Sequence, residues 1–293
     1  MNFAKMHGTG NDFVVVRPQN DDRDWQQLAL AMCDRHFGIG SDGLILALPS
    51  VRADLRMRMF NPDGSEAEMC GNGIRCLAKF AVESGLTSPR HGAITIETVA
   101  GDLLCELRGS AGNVEHVRVA MGVPRLRPSE VPVRGSGQGL LRDLPVSVAA
   151  GTFPVTCVSM GNPHAVHFTD TPVSEFPLGT VGPQIEHSEI FPNRVNFEVV
   201  NNLGQGRVRA RVWERGAGET LACGTGACAI GVAAHLAGRS DGKTLVSLTG
   251  GDLLIEWDGD GQVYLSGPAT EVFRGEWMAD RSGSGVGAAT GTA

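Results

Sequence analysis

The chain has 293 residues, 42% hydrophobic and 19% charged, with a formal net charge of −7. That length suits one large domain or two of roughly 150 residues with a sizeable core, and the acidic balance argues against nucleic acid, which rewards clustered Lys and Arg. Seven cysteines is an odd count, and the start MNFAKMHGTGNDF holds no apolar signal core, so the expectation is a cytoplasmic chain with reduced thiols.

Val- and Ile-rich pieces recur along the chain and read as strands: DFVVV, ITIETV, EHVRVAM, RVRARVW and TLVSL. Forty glycines imply many tight turns between them. Few helices stand out. The first is expected over about 25–35. The second runs over about 73–84, with Ile74, Leu77, Ala78 and Ala81 on one face and Gly85 as the stop. The third runs over about 226–237 and is apolar nearly all round, so it should be enclosed on every side. The charge-free stretch 221–238 around it is Gly- and Ala-rich, contains His235 and falls short of the roughly 20 apolar residues a membrane span needs. The last sixteen residues, MADRSGSGVGAATGTA, contain twelve Gly, Ser, Ala or Thr and are expected to be a disordered tail.

Two tetrapeptides, CGNG at Cys70 and CGTG at Cys223, stand 153 positions apart. At the same offset Glu66 falls on Glu219, Gly71 on Gly224, Gly73 on Gly226, Ala81 on Ala234 and Phe60 on Trp213. The pair Gly10–Asn11 recurs at Gly161–Asn162, and GDLLCE at Gly101 recurs as GDLLIE at Gly251. These anchors imply an internal duplication with its boundary near 121–124. Each half would carry one Cys-Gly-x-Gly element opening a helix.

Such an element has chemistry of its own. Glycines let the backbone turn tightly and approach a ligand. The helix start offers free N–H groups and a positive dipole end to an anion, and a cysteine there should have its pKa drawn down toward neutral. Two such elements facing each other would hold a carboxylate between two helix starts, with one sulfur on either side. Inversion of a stereocentre needs that arrangement: a base on one face, an acid on the other, and donors to stabilise the carbanion.

At these residues the sequence resembles a known family. MHGTGNDFVVV, FNPDGSEAEMCGNGIRC, SMGNPH, RVNF and ERGAGETLACGTGACA look, in order, like the signature blocks of the diaminopimelate epimerases, from residue 1 to about 275. The resemblance implies an α/β (α+β) fold of two similar pseudo-twofold domains, each a strand-rich, barrel-like sheet around a central helix, with the site between them. The expected domains are 1–120, with 268–277 returning to it, and 121–267, with 278–293 as the tail. The implied reaction is interconversion of LL- and meso-2,6-diaminopimelate, on the route to lysine and peptidoglycan. The partner would be this small molecule, with no cofactor, no metal, no nucleic acid and no membrane; a homodimer is left open.

By the same resemblance Cys70 and Cys223 are the two catalytic bases, with His164 and Glu214 beside the thiols. Gly71, Asn72, Gly224 and Thr225 would hold the carboxylate at the reacting carbon. Asn11, Asn61, Asn162, Asn196, Glu214 and Arg215 would grip the substrate, including its distal amino-acid end. Asn supplies a donor and an acceptor from one side chain, Arg215 can fork a carboxylate and Glu214 can take an ammonium. One departure is Gly43, where many relatives carry Gln; no side-chain contact is carried over there.

Each feature has a plainer reading. A lone cysteine before a Gly turn is ordinarily a small buried residue; the duplication reverses that for Cys70 and Cys223 but leaves Cys33, Cys76, Cys105, Cys157 and Cys228 to packing. The Cys70/Cys76 and Cys223/Cys228 spacings are long for structural zinc. GTGACA lacks the strand and acidic residue of a dinucleotide site. Asn20, Asn113, Asn193, Asn201 and Asn202 read as turn residues, and His164 by itself would be structural. Two rival functions remain: a proline or hydroxyproline racemase on the same fold, whose substrate lacks a distal amino-acid end, and a redox protein whose two cysteines bridge on oxidation. The two thiols are expected to lie close enough to form that bridge.

Overall fold

The computed structural model describes residues 1–19, 21–110, 112–135 and 139–278; Asn20 and the tail from 279 onward lie outside them. The first half of the chain runs β1 (Asn2–Gly8), β2 (Asn11–Val16), α1 (Trp25–Cys33), β3 (Gly43–Leu48), β4 (Leu55–Phe60), β5 (Glu66–Ala67), α2 (Gly71–Glu83), β6 (Ala93–Thr98), β7 (Gly101–Ser110) and β8 (Asn113–Ala120). After β9 (Leu144–Val148) the second half repeats the order. It runs β10 (Gly151–Ser159), β11 (Pro163–Phe168), α3 (Leu178–Glu186), β12 (Asn196–Gly204), β13 (Arg207–Glu214), β14 (Gly218–Thr220), α4 (Gly224–Leu236), β15 (Lys243–Leu248), β16 (Gly251–Glu256), β17 (Tyr264–Pro268) and β18 (Thr270–Glu276).

The duplication extends to the pairing of the strands. β2 lies parallel to β3 and β4 to β6; in the second half β11 lies parallel to β12 and β13 to β15. A surface device repeats as well. Arg58 forks Glu66 at 2.7 and 2.8 Å, and Arg211 forks Glu219 at 2.7 and 2.8 Å. Both pairs are bidentate and 153 positions apart. The halves are stitched together where β8 pairs antiparallel with β17 and where β18 pairs with β1. Two pseudo-symmetric halves, strand-rich and each folded around one helix, make a mixed α/β fold.

α2 packs against β1, β2, β3, β7 and β8, and α4 against their counterparts β10, β11, β12, β16 and β17. Burial follows composition. α4, GTGACAIGVAAHL, is apolar all round and buried from Ala227 to Ala234. α2 is wrapped as tightly, although it carries Arg75 and Lys79. Lys79 brings its Nζ to Glu83, Asn113 and the Val114 carbonyl, so its charge is paired.

The three expected helices are present with shifted ends, and α3 is an addition. Its sequence LGTVGPQIE has two glycines and an internal proline, which lower helix propensity. Tertiary packing overrides that: the Trp213 ring lies where a Cβ on Gly182 would sit, at 2.6 Å. Only glycine lets this helix close on β13. No helix among the described residues is long and apolar enough to cross a membrane.

Candidate functional site

α2 and α4 point their N-termini at each other. A Cβ built on Gly224 would lie 3.3 Å from the Gly71 Cα, and one built on Gly71 would lie 3.6 Å from the Gly224 Cα. A side chain at Gly224 would press on the opposite helix start, and one at Gly71 would press on Met121 Cε at 3.1 Å. Each helix is capped by a cysteine in extended conformation: Cys70 accepts from the Gly73 N–H at 3.5 Å, and Cys223 from the Gly226 N–H at 3.3 Å. Sulfur is a weak acceptor, so Ser or Asp would cap better. Two cysteines at matched caps therefore point to chemistry and not to helix stability.

On the first side, the two-residue turn between β1 and β2 has positive φ at both Thr9 and Gly10, the geometry that matches strand twist in a hairpin. It delivers Asn11 to the site. Cys70 Sγ lies 3.6 Å from Asn11 Oδ1, and Asn72 Nδ2 lies 3.3 Å from the same oxygen. Asn72 also donates to the Ala222 carbonyl at 3.2 Å, crossing to the other half. Asn11 Nδ2 in turn donates to Asp42 at 2.6 Å. Asp42 and Asp12 are gathered by Arg35, and Lys5 closes on Asp12 and the Gly40 carbonyl. Neighbouring Gly43 offers no side chain, and Phe60 O and Met59 Cε would each lie 3.0 Å from a Cβ there.

The second side repeats this with different residues. Asn162 donates through Nδ2 to Thr225 Oγ1 at 3.3 Å, and Thr225 Oγ1 lies 3.4 Å from Cys223 Sγ. Asn162 Oδ1 faces His164 Nε2 at 3.1 Å, and His164 Nδ1 meets Glu198 Oε1 at 2.6 Å. His164 and Glu198 are both 0% exposed.

A cavity of about 1310 Å³ opens on the first side, and Asn11, Asn61, Cys70, Glu214 and Arg215 line it. Cys223, 6% exposed, and His164 lie behind its wall. Asn61 donates to Ser65 Oγ at 3.0 Å. Glu214 accepts from Thr220 Oγ1 at 2.5 Å. Asn196 is committed within the protein: it donates to the Pro163 carbonyl at 3.2 Å and accepts from the Arg215 N–H at 2.8 Å, fixing the turn that carries Glu214 and Arg215. The Arg215 side chain donates to the Asn193 carbonyl at 2.8 Å.

The electrostatics correct one expectation. The helix starts were expected to draw both cysteine pKa values down. Burial pushes both thiols up instead, Cys223 strongly, and the Glu214 carboxylate adds to the rise at each. The amides of Gly73 and Gly226 oppose this without reversing it. Arg75 opposes it at Cys70 only. Burial likewise raises Glu198, against the pull of His164.

All seven cysteines are free thiols, and no group of three or more His, Cys, Asp or Glu among the described residues could hold a metal ion. Glu198, Arg75 and Asp42 escaped sequence reasoning. The signal for the first two was a lone charge inside an apolar run, in VNFEVV and GIRCLA. Arg75, 0% exposed, donates to the Gly71 and Pro268 carbonyls at 2.9 and 3.2 Å and to Thr9 Oγ1 at 3.4 Å. Asp42 had no such signal, because its partner Asn11 is 31 positions away.

Residues 3–127 and 156–272 match the family model described as diaminopimelate epimerase. The chain is 52% identical to the diaminopimelate epimerase of Moorella thermoacetica over 96% of this chain and 100% of that one. It is 50% identical to the diaminopimelate epimerase of Acetivibrio thermocellus over 94% and 98%. Among solved structures it is similar to a probable proline racemase of Agrobacterium radiobacter, with TM-score 0.70 and 16% identity over 95% of this chain and 93% of that one. It is also similar to a hydroxyproline epimerase of Agrobacterium vitis, with TM-score 0.66 and 17% identity over 94% and 91%. At such identities the structural likeness concerns the fold alone.

Proposed function

The chain belongs to the diaminopimelate epimerase family, and from that premise we propose that it interconverts LL- and meso-2,6-diaminopimelate, with Cys70 and Cys223 as the two bases. The observation that carries this reading is the pair of cysteines capping two helices whose first residues abut.

The α-carboxylate sits at the junction of the two helix starts. The backbone at Gly71, Asn72, Gly224 and Thr225 donates to it, and both dipoles favour its charge. One thiolate takes the α-proton from its face of the carbon, and the other thiol delivers a proton from the opposite face. The two sulfurs exchange protonation states, so no net proton is consumed. The same donors stabilise charge that moves into the carboxylate as the carbanion forms. The raised pKa values serve this step. A thiolate that is costly to form is a stronger base toward a very weakly acidic C–H. The substrate ammonium groups and the helix dipoles offset the cost of forming it.

Asn11, Asn61, Glu214 and Arg215, which line the cavity, grip the rest of the substrate, while Asn196 acts by fixing the Glu214–Arg215 turn and Asn162 by holding Thr225. Glu214 takes an ammonium, and Arg215 leaves the Asn193 carbonyl to fork the distal carboxylate. That distal grip favours diaminopimelate over proline or hydroxyproline. Residues 1–120 with 268–277 form one epimerase domain and 121–267 the other, which agrees with the pairing of β18 on β1. The seven free thiols suit a reducing cytoplasm.

The test is proton NMR of LL-diaminopimelate in D2O with reduced enzyme. Loss of the α-proton signal together with appearance of the meso isomer is expected, and Cys70→Ala or Cys223→Ala should abolish both. Exchange on another amino acid alone would replace the substrate. Full activity after complete oxidation of the thiols would sink the two-base mechanism.

A further inference from the structure

We propose that Glu198 is a positioning residue for Cys223: with His164 it holds a shared buried proton, and through Asn162 and Thr225 it sets the direction of the hydrogen bonds that end on the Cys223 sulfur. The proposal rests on the reading of Cys223 as one of the two bases.

The direction follows from counting protons along the chain. Asn162 turns its Nδ2 to Thr225 Oγ1, so its Oδ1 faces His164 Nε2 at 3.1 Å. A carbonyl oxygen only accepts, so Nε2 carries a hydrogen. The other ring nitrogen meets Glu198 Oε1 at 2.6 Å. Either Nδ1 also carries a hydrogen and donates to a carboxylate, or Glu198 is a carboxylic acid and donates to Nδ1. In both cases the pair holds one proton more than a neutral imidazole beside a carboxylate, and its net charge is zero. A neutral pair is what a site closed to water favours, and both residues are 0% exposed.

The far end follows. Thr225 Oγ1 accepts from Asn162, so its own hydrogen is free to point to Cys223 Sγ, 3.4 Å away. A hydroxyl donating to sulfur favours the thiolate. Without the shared proton Nε2 becomes an acceptor, Asn162 must turn its amide to donate to it, and the Asn162 oxygen then claims the Thr225 hydrogen. The sulfur keeps the Gly226 N–H but loses the Thr225 hydroxyl as a donor. The amide carries no proton in either arrangement; it transmits direction only.

Glu198 stands well placed for this. Its Oε1 lies 3.0 Å from the position of a Cβ on Gly226, the residue whose N–H caps onto Cys223. Its Oε2 is buried without a hydrogen-bond partner. The titratable groups that face it are His164 on β11, Glu214 on β13, Cys157 on β10 and Cys223 itself. The first half has no buried proton-sharing pair: there Asn11 is oriented by Asp42, a partly exposed carboxylate paired with Arg35, Asn72 stands where Thr225 stands, and the nearby buried charge is the Arg75 cation.

The experiment uses the full reduced chain. Nitrogen-15 NMR of labelled histidine should show that His164 Nε2 carries a hydrogen. Alkylation by iodoacetamide, resolved by peptide mapping, should slow about tenfold at Cys223 in Glu198→Leu, the loss of one hydrogen bond to the sulfur, and leave Cys70 unchanged. Glu198→Gln should restore both readouts, because its amide donates to Nδ1 as the acid does. If Glu198→Leu fails to fold, Thr225→Val removes the last link and should slow Cys223 alike. An unprotonated Nε2 in the wild type, or wild-type Cys223 reactivity in Glu198→Leu or Thr225→Val, overturns the proposal. A wild type with protonated Nε2 that is inert to diaminopimelate would strike the epimerase reading and leave the chain of bonds standing.

Discussion

The two halves repeat their backbone but not their buried charges. Glu214 acts on both thiols, but only Cys70 also has a cation nearby, the Arg75 guanidinium, whose partners are two carbonyls and a hydroxyl with no carboxylate among them. Near Cys223 no cation matches it: Glu214 raises that thiol, and Glu198 is held with His164 in a pair that is neutral overall. A cation lowers a thiol pKa and an anion raises it, so of the two raised thiols Cys70 is expected to ionise more readily than Cys223. Arg75→Met tests this. It removes the cation while keeping an unbranched side chain in the slot under Gly8 and Gly267, where a Cβ would come within 2.9 and 3.2 Å of Arg75. The expected result is slower iodoacetamide alkylation of Cys70, by about tenfold for one unit of pKa, with Cys223 changed far less. Equal slowing at both cysteines would mean that the helices had moved and that charge was not the cause.

The helices act as the rulers of the site. The Gly71–Gly224 contact sets how far apart the two sulfurs stand, and the Cβ of an alanine at 224 would meet backbone at 3.3 Å. Backbone yields by shifting whole helix starts, here by a few tenths of an ångström. Reaction geometry is sensitive on that scale, about 100-fold for a misplacement of 1 Å. Gly224→Ala is therefore expected to lose about tenfold in kcat with its melting temperature nearly kept. Gly231→Ala is the contrast. Its Cβ would meet Ile255 Cγ2 at 2.5 Å in the core behind the site, so it should lose about 1–3 kcal/mol of stability with kcat nearly kept. Steady-state kinetics beside thermal melts separates the two, and a swapped pattern would show that the helix contact is not the ruler. The duplication, the two caps and α2 and α4 were legible in the sequence because they rest on local signals, a repeated tetrapeptide and a 3.6-residue period. α3 was not, because its glycines and Pro183 disfavour a helix until Trp213 packs on Gly182. Glu198, Arg75 and Asp42 were not, because their meaning comes from partners that only the fold brings near.

Across the molecule the same burial that makes the thiols strong bases sets a limit on pH. Burial pushes Cys76, Cys105, Cys157 and Cys228 up to about 12 and raises Cys33, Cys70 and Cys223 as well. An unfolded thiol ionises near pH 8.5. Below that pH both states keep the proton and nothing is lost. Between the unfolded and folded values the unfolded chain binds fewer protons, so the free energy of unfolding falls as pH rises. Each fully titrating thiol contributes a slope of about 1.4 kcal/mol per pH unit, so four of them give about 5 kcal/mol per unit. Domain stability is only about 5–15 kcal/mol. The urea midpoint of the reduced protein should therefore fall steeply above pH 9 and reach zero within one to three further units. The four thiols near 12 lie in the core and not at the helix caps, so the limit can be moved without touching the reaction. Cys105→Val with Cys157→Ala removes two of the four and should cut the slope above pH 9 by a third to a half, at some cost to packing at neutral pH. A midpoint that stayed flat to pH 10.5 would mean that these thiols ionise inside the fold and that the interior is wetter than its packing implies.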